Sequence, residues 1–423
     1  MSTMSNLFGA LPRLGQLMSS QYWNRKRLDD YRSTQLERTL QAAASIPFYR
    51  THFGGTPRPA EFKSLPILRR GDLAELNRSV RALHSPGKKF LCAKSSGSTG
   101  QSVEILFDAR HQRGRFAARA RYLFANGWRI RRSAWLIGIR PGSPDGSLVH
   151  SRFVPGAKFL SHLAEFETQV AWLRNINPRY LYAMPSSLEA LLAVFENHDQ
   201  RMPSLRRVFT GGEVLEDSIR DRTRRTFGVE ISDNYGSTEA FLAWQCPRGS
   251  YHVNSEHVLV ELVDESGRAV PPGGIGRVLV TTLENHLMPL IRYDLGDYTV
   301  AVEERCPCGR TLPLIGKILG RGINLFRLPG GRLLSPWRVV ESLKELPDVK
   351  QVQVHQQAID RYVVRFVAES SLEPGIERSI RKGFLEIVGD DASVTFERVA
   401  DIPRSAGGKF MAALSTLAGT HSL

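Results

Sequence analysis

The stretch Arg207-Val208-Phe209-Thr210-Gly211-Gly212-Glu213 is followed by a helical pattern over 216–226 and a second apolar run, Val229-Glu230-Ile231. Short apolar runs on either side of a helix-length amphipathic segment read as strand, helix and strand of one parallel sheet. The same alternation extends upstream. Strands are expected at Ala134-Trp135-Leu136-Ile137-Gly138 and Tyr180-Leu181-Tyr182-Ala183, and helices over 110–127, 162–175 and 186–197. The fold class is therefore α/β. From 251 to 304 the spacing changes to period two, as in Val258-Leu259-Val260-Glu261-Leu262 and Gly276-Arg277-Val278-Leu279-Val280-Thr281, which predicts an antiparallel β subdomain over about 245–318. Gly320, Gly322, Pro329, Gly330 and Gly331 then mark a boundary. Beyond it a helix near 336–346, strands at 349–356 and 361–368, a helix at 374–388 and a strand at 393–399 predict a small α+β domain, 322–423, after a large one, 1–321.

A helix is expected over 21–45, stopped by Pro47. Before it, Leu7, Phe8 and Leu11 are interrupted by Pro12, Arg13 and Gly15, which makes neither a signal-peptide core nor a membrane span, so a cytoplasmic protein is expected. With 423 residues, 42% of them hydrophobic and 23% charged, the chain can bury a sizeable core. The net charge of +15 suits nucleotides or acidic partners. Its arginines, dense at 113–121 and 129–132, carry no interleaved aromatics or nucleic-acid motif, and no nucleic-acid partner is expected.

Four segments carry candidate chemistry. Ser95-Ser96-Gly97-Ser98-Thr99-Gly100 follows the apolar Phe90-Leu91-Cys92 and offers hydroxyls and glycine-freed backbone N–H groups to a phosphate, although it is not a Walker loop, since Gln101-Ser102 follows Gly100. Asp233-Asn234-Tyr235-Gly236-Ser237-Thr238-Glu239 falls, like Gly211-Gly212-Glu213, at the carboxyl end of an expected strand, where parallel sheets bind ligands. There Asn234 could meet a base edge, Tyr235 stack on it, Thr238 give a hydroxyl and Glu239 hold Mg²⁺. Ile291-Arg292-Tyr293-Asp294-Leu295-Gly296-Asp297 ends in an aspartate able to accept both hydroxyls of a ribose. Pro403-Arg404-Ser405-Ala406-Gly407-Gly408-Lys409 presents one lysine on a glycine-rich loop, suited to a phosphate whose charge changes during reaction.

In this order, with Gly320-Arg321 between the last two, the segments resemble the adenylate-forming acyl ligases and in particular the phenylacetate-CoA ligase branch. Ile46-Pro47-Phe48-Tyr49-Arg50, Leu65-Pro66-Ile67-Leu68 and Met184-Pro185-Ser186-Ser187-Leu188 look like further signatures of that branch. The resemblance implies a large adenylate-forming domain of mixed sheets and a small mobile C-terminal domain. It also implies a reaction in which the carboxylate of an aromatic acid attacks ATP, giving acyl-AMP and pyrophosphate, after which coenzyme A takes the acyl group. Two other acceptors remain open: the phosphopantetheine of an acidic acyl carrier protein, and an amine in polysaccharide biosynthesis. By the same analogy Lys409 and Thr238 serve the phosphate, and Glu239 holds Mg²⁺. Asp297 holds the ribose, Gly212 and Glu213 flank the adenine, Tyr235 stacks on it, and Arg321 lies beside the hinge. The hinge here reads Gly320-Arg321-Gly322-Ile323-Asn324, without the acid usual in the family, and Gln101-Ser102-Val103 replaces the usual proline and lysine.

Four cysteines in so long a chain do not make a disulfide scaffold. Cys306-Pro307-Cys308, with Cys246 and His252, could form a closed tetrahedral Zn²⁺ site; the alternative is loose thiols and a surface histidine. Cys92 is expected in the core.

Overall fold

The computed structural model describes residues 3–95, 103–129, 133–137, 157–161, 164, 166–197, 202–322, 325–334, 336, 340, 349–403 and 411–417. Ser96 to Gly100, Asn324, most of the expected helix at 336–346 and Lys409 lie outside them, and Ser95 is described in its backbone alone. The chain opens with α1 (Thr3–Ser20), α2 (Arg25–Ala44), α3 (Pro47–His52) and α4 (Leu73–Ala82). An antiparallel hairpin follows, β1 (Leu91–Ser95) with β2 (Val103–Phe107), and then α5 (Ala109–Ala125). The hairpin pairs Ser95 with Val103.

One sheet then dominates. It is built from β3 (Ser133–Ile137), β4 (Ala157–Ser161), β5 (Tyr180–Tyr182), β6 (Arg207–Gly211), β7 (Ile231–Gly236), β8 (Phe241–Gln245), β9 (Tyr251–Val253), β10 (Val258–Val263), β11 (Ile275–Thr282), β12 (Tyr293–Ala301) and β13 (Leu314–Arg321). Its order is β10-β11-β12-β13-β9-β8-β7-β6-β5-β3-β4. The run from β4 to β7 is parallel, crossed over by α6 (Phe166–Ile176), α7 (Pro185–Asn197) and α8 (Asp217–Phe227), and everything from β8 onward is antiparallel. The expected alternation is thus present, but the period-two region adds strands to the same sheet rather than closing a sheet of its own. After the short ribbon β14 (Phe326–Arg327) and β15 (Leu333–Leu334), a four-stranded sheet ordered β18-β17-β16-β19 is formed by β16 (Val349–Ala358), β17 (Arg361–Ala368), β18 (Ser393–Arg398) and β19 (Ala413–Ser415). It packs with α9 (Pro374–Val388) around Val354, Tyr362, Val364 and Phe384, a core separate from that of the large sheet.

Two sequence expectations are corrected. The strand placed at 229–231 starts at Ile231 and runs through Asp233, Asn234 and Tyr235 to Gly236, so these residues are strand rather than the loop after one. Residues Thr3–Ser20 form α1 straight through Pro12. A proline inside a helix costs about 3 kcal/mol, and the packing of α1 on α5 offsets it. Leu17 is fully buried there, and Arg13 pairs with Glu284 at 2.8 Å. None of the described helices is long and apolar enough to cross a membrane.

α1 and α5 are tied to the turn after β9 by a buried charge network. Arg121 meets Glu256 Oε1 at 2.6 Å, Asn254 Oδ1 at 2.6 Å and the Leu17 carbonyl at 3.1 Å, and the Ser20 hydroxyl donates to Glu256 at 2.6 Å. Burial alone would raise the Glu256 carboxyl, but Arg121 and Ser20 outweigh it and hold it below its ordinary value. Removing one partner leaves the other charge buried without compensation, so Arg121→Met should cost about 3–5 kcal/mol in urea unfolding. Because the folded pKa of Glu256 is depressed, its contribution is present above the unfolded carboxylate pKa and is lost as pH falls through the folded one. The wild type should therefore lose more stability on acidification than Arg121→Met, and parallel pH–stability curves would contradict this account.

Candidate active site

Of the described candidate residues, Tyr235, Thr238, Glu239, Asp297 and Arg321 lie together where the sheet changes from parallel to antiparallel. β7 pairs parallel with β6 on one side and antiparallel with β8 on the other, and the turn Ser237–Ala240 joins β7 to β8. The Ser237 N–H donates to the Ala240 carbonyl at 2.8 Å, and the Ser237 hydroxyl accepts from the N–H groups of Glu239 and Ala240 at 3.2 and 3.3 Å. Thr238 and Glu239 therefore stand on a tight, self-bonded turn at the strand end.

Asp297 lies across from Tyr235. Its Oδ2 accepts from the Tyr235 hydroxyl at 2.9 Å, and its Oδ1 meets Arg321 Nε at 3.0 Å. Burial, and then the neighbouring carboxylate, push the Tyr235 phenol well above its ordinary value, so it stays a donor. Arg321 also donates to the Leu295 carbonyl at 2.7 Å, which fixes its fork beside the turn at Gly296, where φ is +72° and a side chain would be strained. The carboxylate proposed for the ribose is thus aimed by a phenol from β7 and a guanidinium from β13. Just before it, Arg292 adopts φ +49°, unusual for a side-chain-bearing residue, and is anchored by the Leu65 carbonyl at 2.6 Å and Glu261 at 3.3 Å.

Glu239 is nearly buried, and Tyr293 donates to it at 3.4 Å. A carboxylate oxygen is the kind of ligand that a hard divalent cation takes. Arg115, on α5, donates to the carbonyls of Thr238 at 2.9 Å and Ser237 at 3.3 Å and so fixes this turn. Sequence reading missed it. The only available signal was the i, i+4 spacing of Arg115 and Arg119 inside a helix whose arginines look like ordinary surface charge.

On the β6 side, Gly211 is required by its neighbour. A Cβ there would lie 2.4 Å from Asn234 Nδ2, and that amide donates to the Thr210 carbonyl and, at 3.2 Å, to the Tyr182 hydroxyl. The amide N–H groups of Asn234 are therefore spent inside the protein. Glu213 accepts from the Ser186 N–H at 2.9 Å, where its charge complements the start of α7, while Gly212 is exposed. Ala183, Phe209, Gly211 and Ala240 are buried, and Ser237 is partly exposed.

The cysteine reading gains its geometry in a second place. The ligand atoms of Cys246, His252, Cys306 and Cys308 all lie within 4.8 Å of one another, with Sγ–Sγ 3.6 Å between Cys246 and Cys306 and Sγ–Nε2 3.3 Å between Cys308 and His252. A tetrahedral site with Zn–S of about 2.3 Å has S–S edges of about 3.8 Å. Burial, followed by the charge of Arg310, pushes His252 down to about 4, leaving it neutral. Cys92, expected in the core, is half-buried on β1. His111, given no role from sequence, is fully buried and stacked on His257 at 4.8 Å.

The AMP-binding enzyme family matches residues 153–288. A phenylacetate-coenzyme A ligase of Thermus thermophilus is 31% identical over 191 residues, 43% of this chain and 43% of its own length. One from Aromatoleum evansii is 25% identical over 342 residues, 75% of this chain and 76% of its own. Among solved structures, 2-hydroxyisobutyryl-CoA ligase in complex with 2-HIB-AMP superposes with TM-score 0.72 at 20% identity, covering 94% of this chain and 93% of that one. The o-succinylbenzoate coenzyme A synthetase of Bacillus subtilis, in complex with ATP and magnesium, gives TM-score 0.57 at 16% identity over 76% and 68% respectively. These likenesses support the fold: a large mixed sheet with a small C-terminal sheet.

Gly211→Ala should destabilise the protein by about 1–3 kcal/mol in denaturant unfolding. Asn234→Ser in the same chain should recover part of that loss by making room for the methyl group. Equal losses in the single and double variants would show that the two side chains do not compete for the space.

Proposed function

The chain belongs to the AMP-binding enzyme superfamily, and on that premise we propose that it is an ATP-dependent ligase that converts an aromatic carboxylic acid to its acyl-AMP and then to a CoA thioester. The observation that carries this reading is the convergence of Asp297, Tyr235, Arg321, Thr238 and Glu239 on the seam of the sheet. In the first half-reaction a carboxylate oxygen of the acid attacks the α-phosphorus of ATP, the bond to the bridging oxygen breaks, and pyrophosphate leaves. In the second, the CoA sulfur attacks the acyl carbon, its proton passes to solvent, and AMP leaves with the oxygen that first attacked.

The residues divide the work. Asp297, aimed by Tyr235 and Arg321, accepts the ribose hydroxyls. Gly212 lets the adenine approach the backbone, and the Tyr235 ring and Glu213 flank the base. Thr238 donates its hydroxyl to the α-phosphate. Ser95, Ser96, Gly97, Ser98, Thr99 and Gly100 cradle the outer phosphates, and Lys409 meets the charge that develops in the adenylation step. Glu239 would hold Mg²⁺, which supplies charge neutralisation on the phosphates when bound. Residues 1–321 form the nucleotide domain, and 322–423 rotate between the half-reactions to withdraw Lys409 and admit the thiol.

Pyrophosphate release should require ATP, Mg²⁺ and an acid, and Lys409→Ala should slow it at least a hundredfold while leaving urea stability unchanged. Release that is independent of any acid, or unaffected by Lys409→Ala, would contradict the assignment.

We further propose that Cys246, His252, Cys306 and Cys308 hold one structural Zn²⁺, supported by the four converging ligand atoms. The ion would staple the end of β8 to the turn after β12. That turn grips the α1–α2 link, where Thr311 N donates to the Gln21 carbonyl at 2.9 Å and Arg310 donates to the Gln21 side chain at 2.9 Å. The purified protein should carry about one equivalent of zinc, and Cys306→Ser should lose the metal and lower the Tm. Equal metal content in both proteins rejects this ligand set.

A further inference from the structure

A half-open cavity of about 180 Å³ lies where α1, α2 and α5 meet, and none of the residues around it serves the reaction above. It is lined by Arg13 and Gln16 of α1, Tyr31 of α2, Arg110 and Arg113 of α5, and Glu284 from the link after β11. Three guanidiniums thus share one carboxylate. Glu284 is already answered inside the protein, since its Oε1 meets Arg13 at 2.8 Å and its Oε2 meets His257 Nδ1 at 2.5 Å. Burial alone would raise the Glu284 carboxyl, but His257 and Arg13 outweigh it and hold it below its ordinary value. With Glu284 set against Arg13, the charges of Arg110 and Arg113 are left over. Arg110 is held by a neutral acceptor, Gln35 Oε1, at 2.8 Å. The stem of Arg113 crosses α1 at Gly9, where a Cβ would lie 3.0 Å from its Cδ. Neither arginine enters an ion pair among the described residues.

The neutral groups around the cavity are donors in waiting. The Gln16 side-chain oxygen and the Tyr31 hydroxyl oxygen accept from Arg13 at 2.7 and 3.1 Å, which leaves the Gln16 amide N–H groups and the Tyr31 O–H to donate elsewhere. Burial keeps the Tyr31 phenol above its ordinary value, so it retains that proton. Arg13 Nε is itself buried with no hydrogen-bond partner among the described residues. Such a collection of donors with two uncompensated cations fits a dianion, and guanidiniums suit the oxygens of a tetrahedral one. Glu284 then selects among dianions. Its Oε2 is walled in, because a Cβ at Gly114 would lie 1.9 Å from it, so Oε1 is the acceptor on the cavity side. An oxyanion beside that oxygen is repelled unless it brings an O–H of its own to donate.

We propose that this cavity is a binding site for hydrogen phosphate, HPO₄²⁻. Arg110 and Arg113 take its charge, Tyr31 and Gln16 donate to its oxygens, and its single O–H donates to Glu284 Oε1. The bound ion would join α1, α2 and α5 at one point. The site stands apart from the adenylation reading, which uses none of these residues and releases pyrophosphate.

The test is calorimetric titration of inorganic phosphate, sulfate and methyl phosphate into the full chain at fixed ionic strength, using the wild type, Arg113→Met, Arg110→Met and Arg119→Met. At about pH 8 orthophosphate keeps one O–H, whereas sulfate and a phosphate monoester, whose second pKa is about 6, keep none. The wild type should bind phosphate at least about tenfold more tightly than either of the other two anions. Arg113→Met and Arg110→Met should each weaken phosphate by about ten- to hundredfold, and the pair guards against a folding defect in one of them. Arg119→Met removes the same charge from an exposed position of α5 outside the cavity and should leave the affinity unchanged. Saturating phosphate should raise the Tm of the wild type and Arg119→Met only. The proposal is overturned if phosphate shows no saturable binding, or if sulfate or methyl phosphate binds as tightly. It is equally overturned if phosphate binding survives both cavity substitutions and is displaced by AMP, which would place the anion in the nucleotide site.

Discussion

The carboxylate of Asp297 is the point on which the geometry of the site depends. It belongs to β12, yet one of its oxygens is held by Tyr235 of β7 and the other by Arg321 of β13. In the sheet order β12 and β7 are separated by β13, β9 and β8, so a direct contact between them requires the sheet to curl. The short β9 makes that curl feasible, since it pairs with β13 at only Leu314–His252 and Ile315–Tyr251. Strand twist then brings the two ends of the ladder over one another. The same curl brings Glu239, beside Thr238 on its turn, within 3.4 Å of the Tyr293 hydroxyl on β12.

The rigidity of this arrangement comes from polar groups that face inward. Asp233 accepts from Thr210 at 2.6 Å and from the Tyr251 hydroxyl, and Gln245 accepts from the Asp233 N–H at 3.1 Å and from Arg220 at 2.8 Å. Burial raises the Asp233 carboxyl despite these bonds. A satisfied buried network of this kind fixes the register of β7 more tightly than apolar packing would, because a slip would leave each of these groups unpaired. That network also explains where sequence reading stopped short. Ser232, Asp233 and Asn234 look like a loop because they are polar, and they are strand because every one of them has a partner in β6, β8 or β9.

Other features were legible for good reason. The glycines at 211 and 296 announce close approach and positive φ, and the structure requires both. The alternation from 180 to 231 marks the parallel strands because their apolar runs are unbroken. Cys306 and Cys308 point to a cluster through their spacing, with Cys246 and His252 as the candidate partners upstream, and the fold brings all four ligand atoms within 4.8 Å of one another. What no local pattern reveals is the pairing of residues far apart in the chain. Tyr235 with Asp297, Arg115 with the Thr238 turn, and Arg121 with Glu256 each join segments that share no periodicity. α1 was hidden for a related reason: Pro12 breaks the local signal, and tertiary contacts with α5 restore the helix.

The central claim is that a carboxylate oxygen becomes bonded to the α-phosphorus of ATP. The direct measurement is to supply an acid labelled with ¹⁸O in its carboxylate, together with ATP, Mg²⁺ and CoA, and to weigh the AMP released by mass spectrometry. The account predicts AMP carrying one ¹⁸O from the acid and unlabelled pyrophosphate. Formation of ADP, or AMP with no label above background, would contradict it.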